Sequence, residues 1–374
     1  MAENILDTGI KLVKNVKRYN FGKGSLSELN KILDIRRELT VNEKNKRAVI
    51  FFIDDYFKNC FEPLSKIIFF DNDRIFYVST KDEPHTEVID GYKKELTFLG
   101  LEDPCAIVGI GGGISLDTSK AVSNILKNDG KACDYQGWDL LKNQGVFKIG
   151  IPTISGTGSE STRTCVLTNS STGLKLGMNS DYTVFDHIIM DSELTNTVPR
   201  NQYFYTGMDA YIHCFESLNG HYRNAIGDAY SRETMRLCKE VFNSEEMMND
   251  INREKLMVAS YLGGCAIASS YVGVVHPFSA GLSVVLGIHH CIANCIVMRA
   301  MEVFYPTVYN EFWNMVEKQR IVIPANVCDK LTDDEYECLY NSTIVHEKPL
   351  TNALGSNYKE ILTKEKVINL FKMM

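Results

Sequence analysis

The feature that most restricts the fold lies between residues 106 and 126. An apolar run, Ala106-Ile-Val-Gly-Ile110, leads directly into Gly111-Gly112-Gly113, and then into an apolar-periodic segment that carries Ser115, Asp117 and Lys120 and reaches Leu126. A β-rich run, a glycine turn and a helix start in that order make one strand-to-helix unit. Glycine lets the backbone approach a ligand closely, and the free amides and dipole of a helix N-terminus attract anions. Taken as a bare pattern it is equally a tight turn.

Two further β-rich runs precede it, Ala48-Val-Ile-Phe-Phe-Ile53 and Arg74-Ile-Phe-Tyr-Val78. Between them, residues 56–66 have the mixed polarity of a helix. Strands alternating with helices argue a parallel sheet. Beyond Asp191 and Pro199 the glycines thin out and helical periodicity takes over, with helices expected over 202–219, 225–243, 251–268 and 291–303. Residues 312–374 are polar with helical pieces. A chain of 374 residues has room for two domains, read here as an α/β domain over 1–195 and an all-α domain over 196–374.

Composition excludes several classes. A hydrophobic share of 44% with 23% charged residues is that of a soluble globular protein, and a net charge of −7 argues against general affinity for nucleic acid or an anionic membrane. The basic run Lys11 to Arg18 is short, is interleaved with Leu, Val and Asn and reads as a solvated face. No stretch of 18 apolar residues occurs, and Met1-Ala-Glu-Asn4 lacks a signal-peptide core, so a cytoplasmic location is expected. The eleven cysteines include no Cys-x2-Cys pair, which points to small buried hydrophobes rather than a zinc ribbon or a disulfide framework.

Four residues of the second half have metal-ligand spacing. Asp209 and His213 lie four apart in a predicted helix, on one face and a turn apart. His276 closes a small-residue segment that begins at Gly263, and His290 follows fourteen residues later in Gly287-Ile-His289-His290. One carboxylate and three imidazoles suit Fe²⁺ or Zn²⁺. Separately, each has a structural alternative: a surface ion pair for Asp209 and His213, a satisfied core imidazole for the others.

Together these residues resemble the iron-containing (group III) alcohol dehydrogenase family, whose metal site is Asp-x3-His, a later His and a His fourteen residues further on. The resemblance runs from Phe21-Gly22-Lys23-Gly24 to at least Met298. It implies the dehydroquinate synthase-like architecture, an α/β dinucleotide-binding domain followed by an all-α metal-binding domain. Its metal would be Fe²⁺ or Zn²⁺ on Asp209, His213, His276 and His290, and its second cofactor NAD or NADP. The family's Gly-Gly-Gly-Ser-x2-Asp-x2-Lys motif assigns the pyrophosphate to Gly111, Gly112 and Gly113 and includes Asp117, but Ile114 stands where the family has Ser. Thr153-Ile-Ser155-Gly156-Thr157-Gly158-Ser159-Glu160 matches a family loop whose hydroxyls and amides hold nicotinamide and phosphates, which implicates Thr153, Ser155, Thr157 and Ser159; the alternative is a flexible connection. Lys175 falls where the family has a lysine near the nicotinamide ribose, or is a solvent-facing strand residue. Asp54, ending the first strong strand, accepts hydrogen bonds from a ribose in such folds and favours NAD over NADP; it also suits a helix N-cap, and Asp55 adjoins it.

Two departures stand out. Ala280 occupies the place of a family histidine that serves in proton relay. His289-His290-Cys291 replaces Pro-His-Gly, so that spacing selects His290 as ligand and leaves His289 as a proton carrier or a surface imidazole.

A finer resemblance is to the bacterial 3-deoxy-D-manno-octulosonate 8-oxidase branch. It is carried by Asp134-Tyr-Gln-Gly-Trp138-Asp139, Arg163-Thr-Cys165, Asn179-Ser-Asp181, Gln202-Tyr-Phe-Tyr-Thr206 and Glu216-Ser-Leu-Asn-Gly220. It implies oxidation of the C8 primary alcohol of a small-molecule sugar acid to the aldehyde, ahead of a PLP-dependent aminotransferase in lipopolysaccharide biosynthesis, with NAD(P) or oxygen as acceptor. Arg163 would clamp the substrate carboxylate, or pair with a local acid. A homodimer is compatible with this reading. The rival readings are a general NAD(P)-dependent dehydrogenase of small alcohols or diols, a lyase of the dehydroquinate synthase type that uses NAD and a metal, and a non-catalytic relative.

Overall fold

The computed structural model describes residues 13–39 and 47–374. Met1-Ala-Glu-Asn4 and Lys11, the start of the basic run, lie outside the described residues. The chain divides into two units.

The α/β unit comprises Lys14–Ile154 and Ser159–Thr197. In chain order it contains β1 (Arg18–Phe21), α1 (Glu28–Glu38), β2 (Val49–Asp54), β3 (Arg74–Val78), α2 (Thr86–Phe98), β4 (Ala106–Gly111), α3 (Gly113–Ile125), β5 (Gly137–Trp138), β6 (Lys148–Pro152), β7 (Thr164–Asn169), β8 (Leu174–Asn179) and β9 (His187–Met190). Six strands form a wholly parallel sheet in the order β1-β9-β6-β4-β2-β3. A smaller sheet, β5-β8-β7, pairs β7 and β8 antiparallel.

The unbroken apolar runs follow from burial on both faces of this sheet. Val49, Phe51 and Ile53 of β2 pack with Leu29 and Leu33 of α1, while Ile50 and Phe52 face the opposite way and pack with Ala121, Val122 and Ile125 of α3. Truncating a side chain such as Phe52 to Ala would cost about 3–5 kcal/mol through lost burial and an unfilled cavity. The helix expected over 56–66 is absent. Instead two 3-10 turns form, Asp55–Lys58 and Glu62–Leu64. Asp54 caps the first by accepting from Tyr56 N, and Pro63 removes an amide that a continuous helix would need.

The helical unit comprises Ser155–Gly158 and Val198–Met374. Its helices are α4 (Arg200–Leu218), α5 (Ala225–Phe242), α6 (Asp250–Ser269), α7 (Val275–Leu286), α8 (His290–Val297), α9 (Pro306–Gln319), α10 (Asp333–Ile344), α11 (Glu347–Leu354), α12 (Tyr358–Ile361) and α13 (Lys364–Phe371). Local chemistry sets several ends. Asn224 and Asn249 cap α5 and α6, Thr332 and Glu335 form a capping box on α10, and Gly287 closes α7 at φ 66°. Every residue from Tyr203 to Ser217 of α4 is buried, and its Phe204, Tyr211 and Phe215 share a core with Phe242, Leu256, Phe278 and Phe312. Burial on every side marks α4 as the helix the others pack against.

Two expectations change here. The helix expected over 291–303 ends at Val297, where a 3-10 turn, Met298–Ala300, lets Arg299 donate to the carbonyls of Ile323 and Pro324. The segment around His276, read as a small-residue stretch, is the first turn of α7. All eleven cysteines are free and most are buried, and no described helix is long and apolar enough to cross a membrane.

Candidate metal centre

Helix geometry places Asp209, His213 and Glu216 on one stripe of α4, at spacings of four and seven. The side chains of Asp209 and His213 are 1% and 5% exposed, so neither makes the surface ion pair that was the structural alternative. The first turn of α7 brings His276, and the first residue of α8 brings His290. Asp209 Oδ1 lies 3.3 Å from His276 Nε2, 3.5 Å from His213 Nε2 and 3.8 Å from His290 Nε2. Asp209, His276 and His290 each offer one ligand atom within 4.8 Å of the others. His213 adjoins this triplet, its ring stacked on that of His276 with centroids 4.6 Å apart.

Neighbours hold these groups in place. Asn294, four residues after His290, donates to Asp209 Oδ1 at 2.6 Å, and Cys291 Sγ lies 3.7 Å from Asp209 Oδ2. Ser279 Oγ donates to the carbonyl of His276 at 3.0 Å. Glu216 Oε2 lies 2.5 Å from His276 Nδ1, and Glu216 Oε1 accepts from Val275 N at 2.6 Å. Burial alone would raise the Asp209 carboxyl, but His213, His290 and His276 outweigh it and hold the group well below the usual carboxylate range. Burial lowers His213 to about 3 against the pull of Asp209. For His276 burial is outweighed by Glu216 and Asp209, which raise it to about 9.

The residues fit a divalent ion. Two ligand atoms about 2.1 Å from a tetrahedral ion sit roughly 3.4 Å apart, close to the separations from Asp209 Oδ1. His276 Nε2, which faces Asp209 Oδ1, is a buried ring nitrogen without a hydrogen-bond partner, and a buried polar atom of that kind calls for one. An ionised carboxylate beside imidazoles, which give up a proton when an ion binds, is the donor chemistry of Fe²⁺ and Zn²⁺ sites.

The α/β unit holds the other expected residues. Gly111, Gly112 and Gly113 form the β4–α3 junction, with Gly112 in the N-cap position and no side-chain cap. The first amides of α3 are therefore free of a side-chain acceptor, as a phosphate cradle requires. Ser115, one place beyond the family's serine, is buried with its hydroxyl beneath Gly111, while Ile114 joins the apolar cluster of α3. Asp54 caps the turn after β2, and burial raises its pKa. Thr153 N donates to Gly111 O, tying the end of β6 to the junction. Asp117 accepts from Ser159 Oγ and, at 2.9 Å, from Val166 N. Lys120 Nζ, wholly buried, donates to the carbonyls of Thr162 and Thr164. The conspicuous Asp117 and Lys120 of the motif thus brace the segment that follows Ser159.

Ser155–Gly158 packs with the helices, so it is no loose connection. Gly156 N and Gly158 N both donate to Ser260 Oγ of α6, at 2.8 and 3.3 Å. A Cβ on Gly156 would lie 1.6 Å from the Thr206 carbonyl of α4. Ser155 Oγ is buried without a partner, and Thr157 is half-buried. Lys175 is 6% exposed rather than solvent-facing, and its Nζ pairs with Glu83 at 2.9 Å. Arg163 pairs with Asp139 and Asp181 at 2.5 and 3.1 Å, which favours the local-acid alternative over the carboxylate clamp. His289 is half-buried at the N-cap of α8 and makes no capping bond; Ala280 is buried within α7.

Glu216, Asn294, Ser279 and Ser260 were not anticipated. The spacing of Glu216 from Asp209 and of Asn294 from His290 was a readable signal; Ser260 had none, because its partner lies over a hundred residues away.

Comparison with known proteins agrees. Residues 16–192 match the sequence model of the iron-containing alcohol dehydrogenases, and residues 203–338 match the C-terminal model of the same family. A sulfoacetaldehyde reductase of Bilophila wadsworthia is 34% identical over 58% of this chain and 56% of its own length. An NAD-dependent methanol dehydrogenase of Bacillus methanolicus is 31% identical over 60% of this chain and 58% of its own. The matched stretches therefore span little more than half of these curated relatives. The crystal structure of a sulfoacetaldehyde reductase from Bifidobacterium kashiwanohense, in complex with NAD+, superimposes with a TM-score of 0.78 over 97% of this chain and 98% of its own, at 21% identity, and so shares the fold. With both halves matched in sequence and the whole matched in fold, the chain belongs to the iron-containing alcohol dehydrogenase family.

Proposed function

We propose that the chain is a metal-dependent alcohol oxidoreductase that passes a hydride from a primary alcohol to NAD(P), and that its substrate is a sugar acid, 3-deoxy-D-manno-octulosonate, oxidised at C8. The observation that carries the reaction class is the convergence of Asp209, His276 and His290 within 4.8 Å. When bound, the metal supplies Lewis acidity and the nicotinamide accepts the hydride.

The chain's own residues bind and orient. Asp209, His276 and His290, with His213 beside them, would hold the ion; Asn294 keeps Asp209 Oδ1 turned toward the imidazoles. Gly111, Gly112 and Gly113 would take the pyrophosphate on the open start of α3, helped by Asp54 at the ribose and by Thr153, Ser155, Thr157, Ser159 and Lys175 nearer the nicotinamide. His289, at the mouth of α8, is the candidate proton carrier in a chain with Ala280 at the usual relay position.

The octulosonate reading is supported by the branch-like segments between residues 134 and 220. The relative named as a sulfoacetaldehyde reductase handles an anionic aldehyde, which supports a charged substrate. The aldehyde product would be consumed by a PLP-dependent aminotransferase in lipopolysaccharide biosynthesis. The second reading, a dehydrogenase of small alcohols or diols, is favoured by the engagement of Arg163 with Asp139 and Asp181 and by the relative named as a methanol dehydrogenase.

The test is a comparison of turnover on iron-loaded protein, octulosonate and 1,3-propanediol being oxidised with NAD(P)+ and sulfoacetaldehyde reduced with NAD(P)H, under nitrogen and then in air. Preference for octulosonate supports the first reading, preference for the diol supports the second, and turnover only in air assigns oxygen as acceptor. No turnover of any alcohol or aldehyde overturns the reaction class.

A further inference from the structure

The side chain of Glu216 is 0% exposed, yet it is a carboxylate. Such a group is costly to bury unless its lone pairs are taken. Here they are, and all the donors belong to one short stretch and its neighbour. Oε1 accepts from Val275 N at 2.6 Å, Oε2 lies 2.5 Å from His276 Nδ1, and the Tyr305 hydroxyl, which accepts from Val274 N at 3.2 Å, lies beside the same carboxylate. Gly273 leaves the room for this: a Cβ there would lie 2.5 Å from the Tyr305 hydroxyl and 3.0 Å from Glu216 Oε1. The first turn of α7 is thus seated on the Glu216 carboxylate of α4.

A carboxylate accepts and does not donate, so the proton between Glu216 and His276 sits on Nδ1. Nε2 is left to face Asp209 Oδ1, 3.3 Å away, as a buried nitrogen without a hydrogen-bond partner. We propose that Glu216 is a positioning residue that fixes the tautomer and ring plane of His276, so that Nε2 is the atom offered to a divalent cation. A carboxylate behind an imidazole also makes the ring a better donor to the ion. The inference rests on the metal-centre reading, but not on the choice of substrate.

Glu216→Gln tests it nearly isosterically. A glutamine that keeps its carbonyl on Val275 N must turn its NH2 toward His276 Nδ1, which favours the opposite tautomer and puts a proton on Nε2. Zn²⁺ is the probe, and its affinity is read by competition with a chelator. Affinity should fall about 10–100-fold, with the far-ultraviolet spectrum unchanged. Tyr305→Phe, which removes the hydroxyl beside the same carboxylate but leaves the His276 contact, should bind Zn²⁺ almost as the wild type does. In wild-type protein labelled with 15N-histidine and loaded with Zn²⁺, the His276 signals should show a proton on Nδ1 and the metal on Nε2.

Unchanged Zn²⁺ affinity in folded Glu216→Gln, or an equal loss in Tyr305→Phe, would overturn the proposal and reduce Glu216 to a purely structural seat for α7. Should Glu216→Gln not fold, the wild-type spectrum decides alone, and Zn²⁺ on Nδ1 of His276 would overturn it. Failure of the wild type to bind Zn²⁺ at all would bring down the metal centre itself, which the wild-type titration separates from the tautomer claim.

Discussion

At the β4–α3 junction Gly111 has φ 150°, and a Cβ placed on it would lie 2.6 Å from the hydroxyl of Ser115 in the helix that follows. In the second glycine-rich segment Gly156 has φ 148°, and its Cβ would lie 1.6 Å from the Thr206 carbonyl, in the backbone of a helix fifty residues on. The two stretches read alike as sequence, both rich in Gly, Ser and Thr. The first is glycine for a local reason, a turn that needs a positive φ and a close-packed serine beneath it. The second is glycine because α4 passes against it, and its amides are already engaged by Ser260. A family motif can therefore be matched along its whole length while only part of it keeps backbone donors open to an anion.

Substitutions break or sharpen this contrast. Gly156→Ala should have the largest effect. Its neighbour is backbone and its φ is disfavoured for alanine, so a loss above about 4 kcal/mol is expected in denaturant melts, or no folded protein at all. Gly112→Val should be milder in stability, about 1–3 kcal/mol, because the added Cβ meets the movable Ile154 Cγ2 at 2.9 Å. It should nonetheless weaken NAD binding at least about tenfold by calorimetry, with Zn²⁺ retention unchanged. Ser260→Ala leaves two buried amides of the second segment without their acceptor and should cost about 1–3 kcal/mol, with a smaller effect on NAD affinity than Gly112→Val. If Ser260→Ala proved the more harmful to NAD binding, the contrast would be reversed. Asp54→Ala, removing a turn cap, should cost least, about 1 kcal/mol, and should relax any preference for NAD over NADP if the carboxylate also meets the ribose.

The parts that could be read from the sequence were those with local periods. Phe51 and Phe52 point to opposite faces as a strand requires, and Asp209 and His213 share a helical face at a spacing of four. The same arithmetic reaches Glu216 at seven and Asn294 at four from His290, but a single carboxylate or amide on a buried stripe has too many innocent explanations to stand out. The helix expected over 56–66 failed because polarity alone did not weigh Pro63, which lacks the amide a continuous helix would need there. The turn that carries His276 was hidden because the small-residue stretch before it gives no side-chain cap to mark the start of α7. Arg163 was ambiguous for another reason. Its partners Asp139 and Asp181 come from separate segments, and only tertiary structure brings them together.

The central claim is a divalent metal held by Asp209, His276 and His290. His290 is the residue on which to test it, since its side chain is 28% exposed, whereas removing His276 would strand the buried Glu216 carboxylate. Metal content by elemental analysis of wild type and His290→Ala, purified side by side, measures it directly. The account predicts about one iron or zinc per wild-type chain and a small residual fraction in a folded His290→Ala, because the remaining ligands hold such an ion poorly. Full occupancy in the variant, or no metal in the wild type after reconstitution, would contradict it.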